Sequence, residues 1–127
     1  MKIRILGDSL RLRLSQTEVN DMLERGMVKH SIRFGPRSAQ QLNYILQKAT
    51  VPEVSASFNS NTISVLIPND LADNWASSDE ISIERKMSIQ KEEYLKILIE
   101  KDFKCLKERP GESESDLFPN PDEESKC

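Results

Sequence analysis

Histidine, cysteine and long apolar runs are scarce in this sequence, and each shortage excludes a class of function. The 127 residues include one histidine and two cysteines, and a metal site built from His30 with the distant Cys105 and Cys127 would be a poor ligand set. We predict instead that His30 is a core or half-buried residue with a backbone partner. No P-loop, dinucleotide-binding, CxxC or EF-hand pattern occurs, and no apolar run approaches a membrane span. The sequence therefore predicts no metal, no cofactor and no membrane partner.

The cysteine count and the N-terminus predict a cytoplasmic protein. Secreted chains of this size usually carry several paired cysteines, and the opening MKIRILGDSLRLRL lacks the apolar stretch of a signal peptide. The formal net charge of −3 gives no general attraction to nucleic acid. Because no aromatic residues alternate with the arginines to form a stacking platform, we also expect no nucleic-acid partner.

Charge divides the chain into a body, residues 1–107, and an acidic tail, residues 108–127. The tail holds seven of the 21 acidic residues and two of the 18 basic residues, so its formal charge is near −5 and that of the body near +2. Residues 110–116 are rich in Pro, Gly, Ser and Glu and cannot bury themselves. We expect one domain over 1–107 and a tail that is either flexible or docked.

Alternating apolar and polar residues predict an α+β domain with a mainly antiparallel, meander-like sheet. Seven to nine strands are expected, in a sheet that is either open or curled to a half-barrel, with two short helices. Ser15 and Glu18 form a capping box for a helix over 16–25, and Gly26 fits the left-handed position just past its end. Asn69 is expected to cap a second helix. Residues 89–103 fit a helix or a strand, and we favour a strand from Tyr94 because apolar residues alternate there.

The segment Gly7-Asp8-Ser9-Leu10 matches the GDSL box of an esterase family in which the serine is the nucleophile. A serine hydrolase also needs a histidine base that a carboxylate orients, and the single histidine has no such sequence context. Gly, Asp and Ser are also favoured turn residues. We interpret the segment as a hairpin turn and predict no catalytic residue there.

Four arginines are the predicted binding residues. Arg4, Arg11 and Arg13 are expected to share the polar face of the first hairpin, with Arg33 beside them if the next strand pairs alongside. Guanidinium groups bind phosphate and carboxylate oxygens in a bidentate manner. The ligand is expected to be a small anion, a protein partner or the acidic tail, and the alternative is a solvated sheet face.

The tail contains a short segment with the form of a docking peptide. Leu117 and Phe118 are its large apolar residues, and they precede the rigid Pro119. We predict that these three residues dock on the sheet of the same chain or on a partner. Docking on a second copy would give a weak homo-oligomer.

Both ends of the chain resemble a family of short bacterial proteins of unknown function. The family opens MKIRI-x-G-x-S-[LI]-R-x-R-L, and in its closing segment EKDFKCL leads through an acidic stretch to FPNP, as here. The family has no assigned activity, cofactor or catalytic residue, so the resemblance implies no function. It does imply a bacterial source, and it implies that the FPNP segment is part of the protein's design.

These observations favour a non-enzymatic binding or interaction module. The absence of an acid–base constellation argues against catalysis, while the arginine face and the acidic tail argue for recognition. The alternative is a small enzyme or metabolite-binding protein that uses the concave face of the sheet. Its polar candidates would be Arg11, Arg13, Glu84 and Cys105.

Overall fold

The structure, a computed structural model, describes residues 1–103. These residues form eight strands and two α-helices: β1 (Lys2–Ile5), β2 (Ser9–Leu14), α1 (Gln16–Glu24), β3 (Met27–Arg33), β4 (Gln41–Ala49), β5 (Ser55–Asn59), β6 (Thr62–Pro68), α2 (Asn69–Ser77), β7 (Ser82–Gln90) and β8 (Glu93–Lys101). A short 3₁₀ helix, Ser38–Gln40, precedes β4. The predicted α+β class is confirmed, and β8 is the strand that the alternation favoured over a helix.

The strands form two four-stranded sheets that do not close into a barrel. Sheet 1 has the order β1-β2-β8-β7, and sheet 2 has the order β3-β4-β6-β5. All four hairpins are antiparallel, whereas the central pairs, β2 with β8 and β4 with β6, are parallel. The strand order therefore departs from a simple meander, because each sheet joins one hairpin from each half of the chain.

The fold contains an internal duplication. β1, β2, α1, β3 and β4 recur in order as β5, β6, α2, β7 and β8, and exchanging the two sets converts the strand order of sheet 1 into that of sheet 2. The helices start at Gln16 and Asn69, and the same shift of 53 residues carries buried Leu12 onto buried Val65. No residue in 1–25 is identical to its counterpart. The duplication thus survives in burial and topology and not in residue identity.

The core lies where the inner faces of both sheets meet the two helices. Each helix contributes two buried side chains, Val19 and Met22 from α1 and Ala72 and Trp75 from α2. The indole of Trp75 is fully buried, and its N–H donates to the carbonyl of Ile81 at 3.0 Å. Alternate residues of each strand point into the core, and the residues between them form the outer face of each sheet. The buried strand residues are Leu10, Leu12, Leu14, Val28, Leu46, Val65, Ile67, Ile83, Ile97 and Ile99.

Helix α1 begins and ends on the local signals that predicted it. The backbone N–H of Glu18 donates to Ser15 Oγ at 3.3 Å, and the N–H of Ser15 donates to Glu18 Oε1 at 3.0 Å. Gly26 follows the helix with φ of +77°, a conformation that favours glycine. In the second helix, Asn69 is the first helical residue and Pro68 holds the cap position, so the predicted cap lies one residue too late.

Several predictions concern residues outside the described part of the chain. These are the tail boundary at residue 108 and the roles of Cys105, Leu117, Phe118 and Pro119. They stay predictions.

We expect Trp75→Ala to lower the free energy of unfolding by about 3–5 kcal/mol, because it removes a large fully buried ring and leaves a cavity. Phe58→Ala is the control, since Phe58 is 65% exposed, and its effect should stay within about 0.5 kcal/mol. Urea unfolding followed by far-UV circular dichroism measures both. Similar losses in the two variants would contradict this description of the core.

Candidate functional site

The outer face of sheet 1 carries an unusual arrangement of like charges. The strand register places Lys2 opposite Arg13, Arg4 opposite Arg11, and Lys86 opposite Lys96. In β2 the arginines alternate with buried leucines, which directs them to the outer face. Like charges directly opposite each other destabilise a sheet. Three such pairs on one face therefore require compensation by anions.

Two acidic residues compensate one end of this face. Glu100 Oε1 accepts a hydrogen bond from Arg11 Nε at 2.7 Å. The same oxygen lies 2.9 Å from Arg13 Nε and forms an ion pair with it, but the geometry is not that of a hydrogen bond. Asp102 lies 3.5 Å from Lys2 Nζ and 3.7 Å from Arg13 Nη2. The cations nearest the end of β8 are thus neutralised within the sheet.

The other end of the face is not compensated. Within residues 1–103, the side chains of Arg4 and Lys96 have no hydrogen-bond or ion-pair partner, and Lys86 only approaches the ring of Tyr94, at 5.8 Å. Glu84 is exposed, and its carboxylate is likewise unpaired in this part of the chain. Two cations and one carboxylate are therefore available to a ligand here.

A shallow recess of about 200 Å³ lies between these groups. We call it the outer recess, and its lining includes Arg4, Leu6, Arg11, Glu84, Lys96 and Leu98. Leu6 is 67% exposed. Leu98 is opposite Arg11 on β2 and Glu84 on β7, so it belongs to the outer face. The recess thus offers two cations and one carboxylate beside exposed apolar surface.

A second polar cluster surrounds Glu18 at the start of α1. Glu18 Oε2 contacts the Met1 ammonium and lies 2.8 Å from His30 Nε2, while the His30 ring stacks on Tyr44 at 5.8 Å between centroids. Burial raises the pKa of Glu18, but hydrogen bonds from the ammonium, the Ser15 N–H and His30 outweigh it and lower that pKa to about 2. The cluster joins β1, α1 and β3, which suits a structural role.

Comparison with known proteins adds a family to this geometry. The model of a family of unknown function, DUF7009, matches residues 1–122. The chain belongs to this family. The resemblance of the two chain ends to a family without known function is thereby confirmed. No curated protein and no solved structure matches the chain, so a function has to be argued from the geometry.

Within residues 1–103, no group of His, Cys, Asp and Glu side chains is arranged to hold a metal ion. No helix in this range is long and apolar enough to cross a membrane.

The structure brings together three of the four predicted arginines. Arg4, Arg11 and Arg13 share the outer face of sheet 1, but Arg33 ends β3 in sheet 2. The condition set for Arg33 is not met, because β2 pairs with β8 and not with β3. Sequence reasoning missed Lys96. Alternation in β8 predicts that its side chain is on the outer face, but no local pattern predicts that β8 pairs with β2.

Other sequence-based placements also change. Arg11, Arg13 and Glu84 were candidates for a concave enzyme site, yet they lie on the outer face, away from the helices. His30 is half-buried, and its Nε2 lies 2.8 Å from Glu18 Oε2 and 2.9 Å from the terminal amine of Met1. The predicted turn at Gly7 is confirmed, with φ of +55°.

The stability of the protein should fall in acid through Glu18. Its pKa is about 2 in the folded protein against 4.5 as the ordinary value, so its carboxylate stabilises the fold above pH 4.5 and loses this effect as the pH falls toward 2. Glu18→Gln should remove that component while keeping an acceptor for the Ser15 N–H. We expect the free energy of unfolding to fall less steeply between pH 5 and pH 2.5 in this variant.

The control is Glu24→Gln, which changes an exposed residue of the same helix. It should follow the wild-type pH dependence in urea unfolding at each pH. A Glu18→Gln slope equal to that of the wild type would contradict the assignment.

Proposed function

We propose that this protein is a non-enzymatic binding module that recognises an acidic, partly apolar segment of a partner protein at the outer recess. The observation that carries the proposal is that Arg4 and Lys96, which have no side-chain partner within residues 1–103, lie beside exposed Leu6 and half-buried Leu98.

The charge pattern favours recognition over simple solubility. Arg11, Arg13 and Lys2 approach carboxylates of the same face, whereas Arg4 and Lys96 do not, within the described residues. Leaving Arg4 directly opposite Arg11 is unfavourable until an anion lies between them. A carboxylate can accept both parallel N–H bonds of the Arg4 guanidinium, and Lys96 adds a point charge.

The size and the apolar part of the recess favour a peptide over a metabolite. Small-molecule sites usually enclose about 300–1,000 Å³, and the outer recess is shallow at about 200 Å³. That volume suits one or two side chains. A ligand that places an apolar side chain on Leu6 and Leu98 would also remove exposed hydrocarbon from water, which an inorganic anion cannot do.

The test is a titration with a synthetic decapeptide of glutamates flanking two leucines. The protein titrated is the ¹⁵N-labelled full chain with Leu117→Ala and Phe118→Ala, the reference protein, in which the predicted docking residues of the tail cannot compete for the recess. Amide shifts should concentrate in β1, β2 and β8. Arg4→Ala with Lys96→Ala should weaken binding about tenfold, from two exposed charge contacts of about 0.7 kcal/mol each.

The control double variant is Lys29→Ala with Arg33→Ala, which removes the same charge from the outer face of sheet 2. It should bind with the affinity of the reference protein. Equal losses in both double variants, or shifts spread over both sheets, would reduce the interaction to general charge attraction and reject the proposal.

Glu84 gives an independent test with the opposite sign. Its carboxylate lines the recess and repels an acidic ligand. Glu84→Gln should therefore tighten binding of the same peptide about two- to threefold, an effect of the size expected for an exposed charge. Glu93→Gln, at the start of β8 and outside the recess lining, should leave the affinity unchanged. Weaker binding by Glu84→Gln would contradict the assigned charge logic.

A further inference from the structure

We infer that the outer recess is occupied in the resting protein by the chain's own segment Asp116-Leu117-Phe118, so that a partner segment binds by displacing it. This inference rests on the proposed function and adds its regulation. Three observations carry it: where the described chain ends, how far the remaining residues reach, and which chemistry they bring.

The described chain ends beside the outer face of sheet 1. The N–H of Asp102 donates to the carbonyl of Leu14 at 2.8 Å, and the Asp102 carboxylate lies near Lys2 and Arg13 of the same face. Lys96, at the outer recess, is on the strand that leads to this point. At about 3.3 Å per strand residue, the recess lies roughly 20 Å back along β8.

The remaining chain is long enough to return to the recess. Asp116 lies thirteen positions beyond Phe103, and an extended chain of that length spans up to about 43 Å. Asp116 can therefore reach Lys96 within one molecule, with chain length left for a turn. A second copy is not needed to bring the two together.

The chemistry of the segment matches the recess group by group. All charged residues between 110 and 125 are acidic, and Asp116 supplies a carboxylate for Arg4 and Lys96. The adjacent Leu117 and Phe118 supply apolar side chains for the exposed surface of Leu6 and Leu98. Such a match of charge and apolar contact is the pattern that peptide-binding sites use.

The outer face of sheet 2 carries two cations, Lys29 and Arg33, but they lie four residues apart on the edge strand β3, about 13 Å at 3.3 Å per residue. Its central row consists of neutral groups that bond to one another: Ser31 Oγ donates to Asn43 Oδ1 at 2.6 Å, and Asn43 Nδ2 donates to Thr62 Oγ1 at 3.4 Å. An acidic segment gains no charge contact from these groups. The charge distribution therefore directs the tail to sheet 1.

Attachment to the same chain makes a weak contact sufficient. A tethered ligand acts at an effective concentration of about millimolar, so a segment of modest intrinsic affinity fills the recess. The apparent affinity for an outside segment then falls in proportion to the fraction of recesses left open. The tail would thus set a threshold that a partner has to exceed.

The first experiment places a nitroxide spin label beside the segment. The full chain carries Ser115→Cys with Cys105→Ser and Cys127→Ser, so that one thiol reacts. We expect amide signals of Arg4, Leu6 and Lys96 to broaden while that of Asn43 stays sharp. Adding Leu117→Ala with Phe118→Ala should restore the broadened signals, and Asn120→Ala, which removes no apolar anchor, should not.

The same label distinguishes one chain from two. When spin-labelled unenriched protein is mixed with unlabelled ¹⁵N protein, the inference predicts no broadening. Broadening of the recess signals in that mixture alone would show docking between copies and overturn the inference. Equal broadening of amide signals from sheet 1 and sheet 2 would also overturn it.

A second experiment separates this inference from the proposed function. The glutamate–leucine peptide should bind about tenfold more tightly to full-length Leu117→Ala/Phe118→Ala than to the wild type. Equal binding at the recess would overturn the tail inference and leave the proposed function standing. No peptide binding to either protein, together with localised spin-label broadening, would support the tail contact and reject the partner-binding function.

Discussion

The parallel pairing of β2 with β8 is the interaction on which the rest of the structure depends. It joins Leu10 and Leu12 to Ile97 and Ile99 across nearly the whole described chain, with Leu10 beside Ile97 and Leu12 beside Ile99. These four side chains are buried on one face, while the same register gathers the cations on the other. One set of backbone hydrogen bonds therefore builds both the core and the outer recess.

This shared origin explains why charged residues can occupy a face that the sheet itself does not favour. The inner residues of β2 and β8 bury apolar surface whose transfer from water dominates folding. This favourable free energy of burial exceeds the smaller unfavourable energy of like charges that face one another across exposed strands. Glu100 and Asp102 offset part of the cost near the end of β8. The remaining part stays available as attraction for a carboxylate.

Sequence patterns predicted the elements well where the signal is local. The capping box of Ser15 and Glu18, the glycine at position 26 and the alternation in β8 each depend on neighbours within a few residues, and each is confirmed. Pairing between distant strands has no such signal, because alternation gives the face of a residue but not its neighbour. That is why the place of Arg33 stayed conditional on the strand pairing and why Lys96 was missed.

The internal duplication was hidden from sequence reasoning for a related reason. Equivalent core positions hold different apolar residues, such as Met22 and Trp75 in the helices, because a core constrains volume and polarity more than identity. The two outer faces have diverged further, since solvent constrains them less. The outer face of sheet 1 now carries three pairs of like charges, and the centre of the outer face of sheet 2 carries a neutral network of hydroxyl and amide groups.

The way in which the halves share their strands has a consequence for how the protein holds together. Each half gives one hairpin to each sheet, and a two-stranded hairpin is marginal on its own in water. Neither half can complete a sheet without the other. The arrangement is that of a domain-swapped dimer whose two copies are fused through residues 50–54. The two repeats are therefore interlocked, and they form one cooperative unit in place of two separable modules.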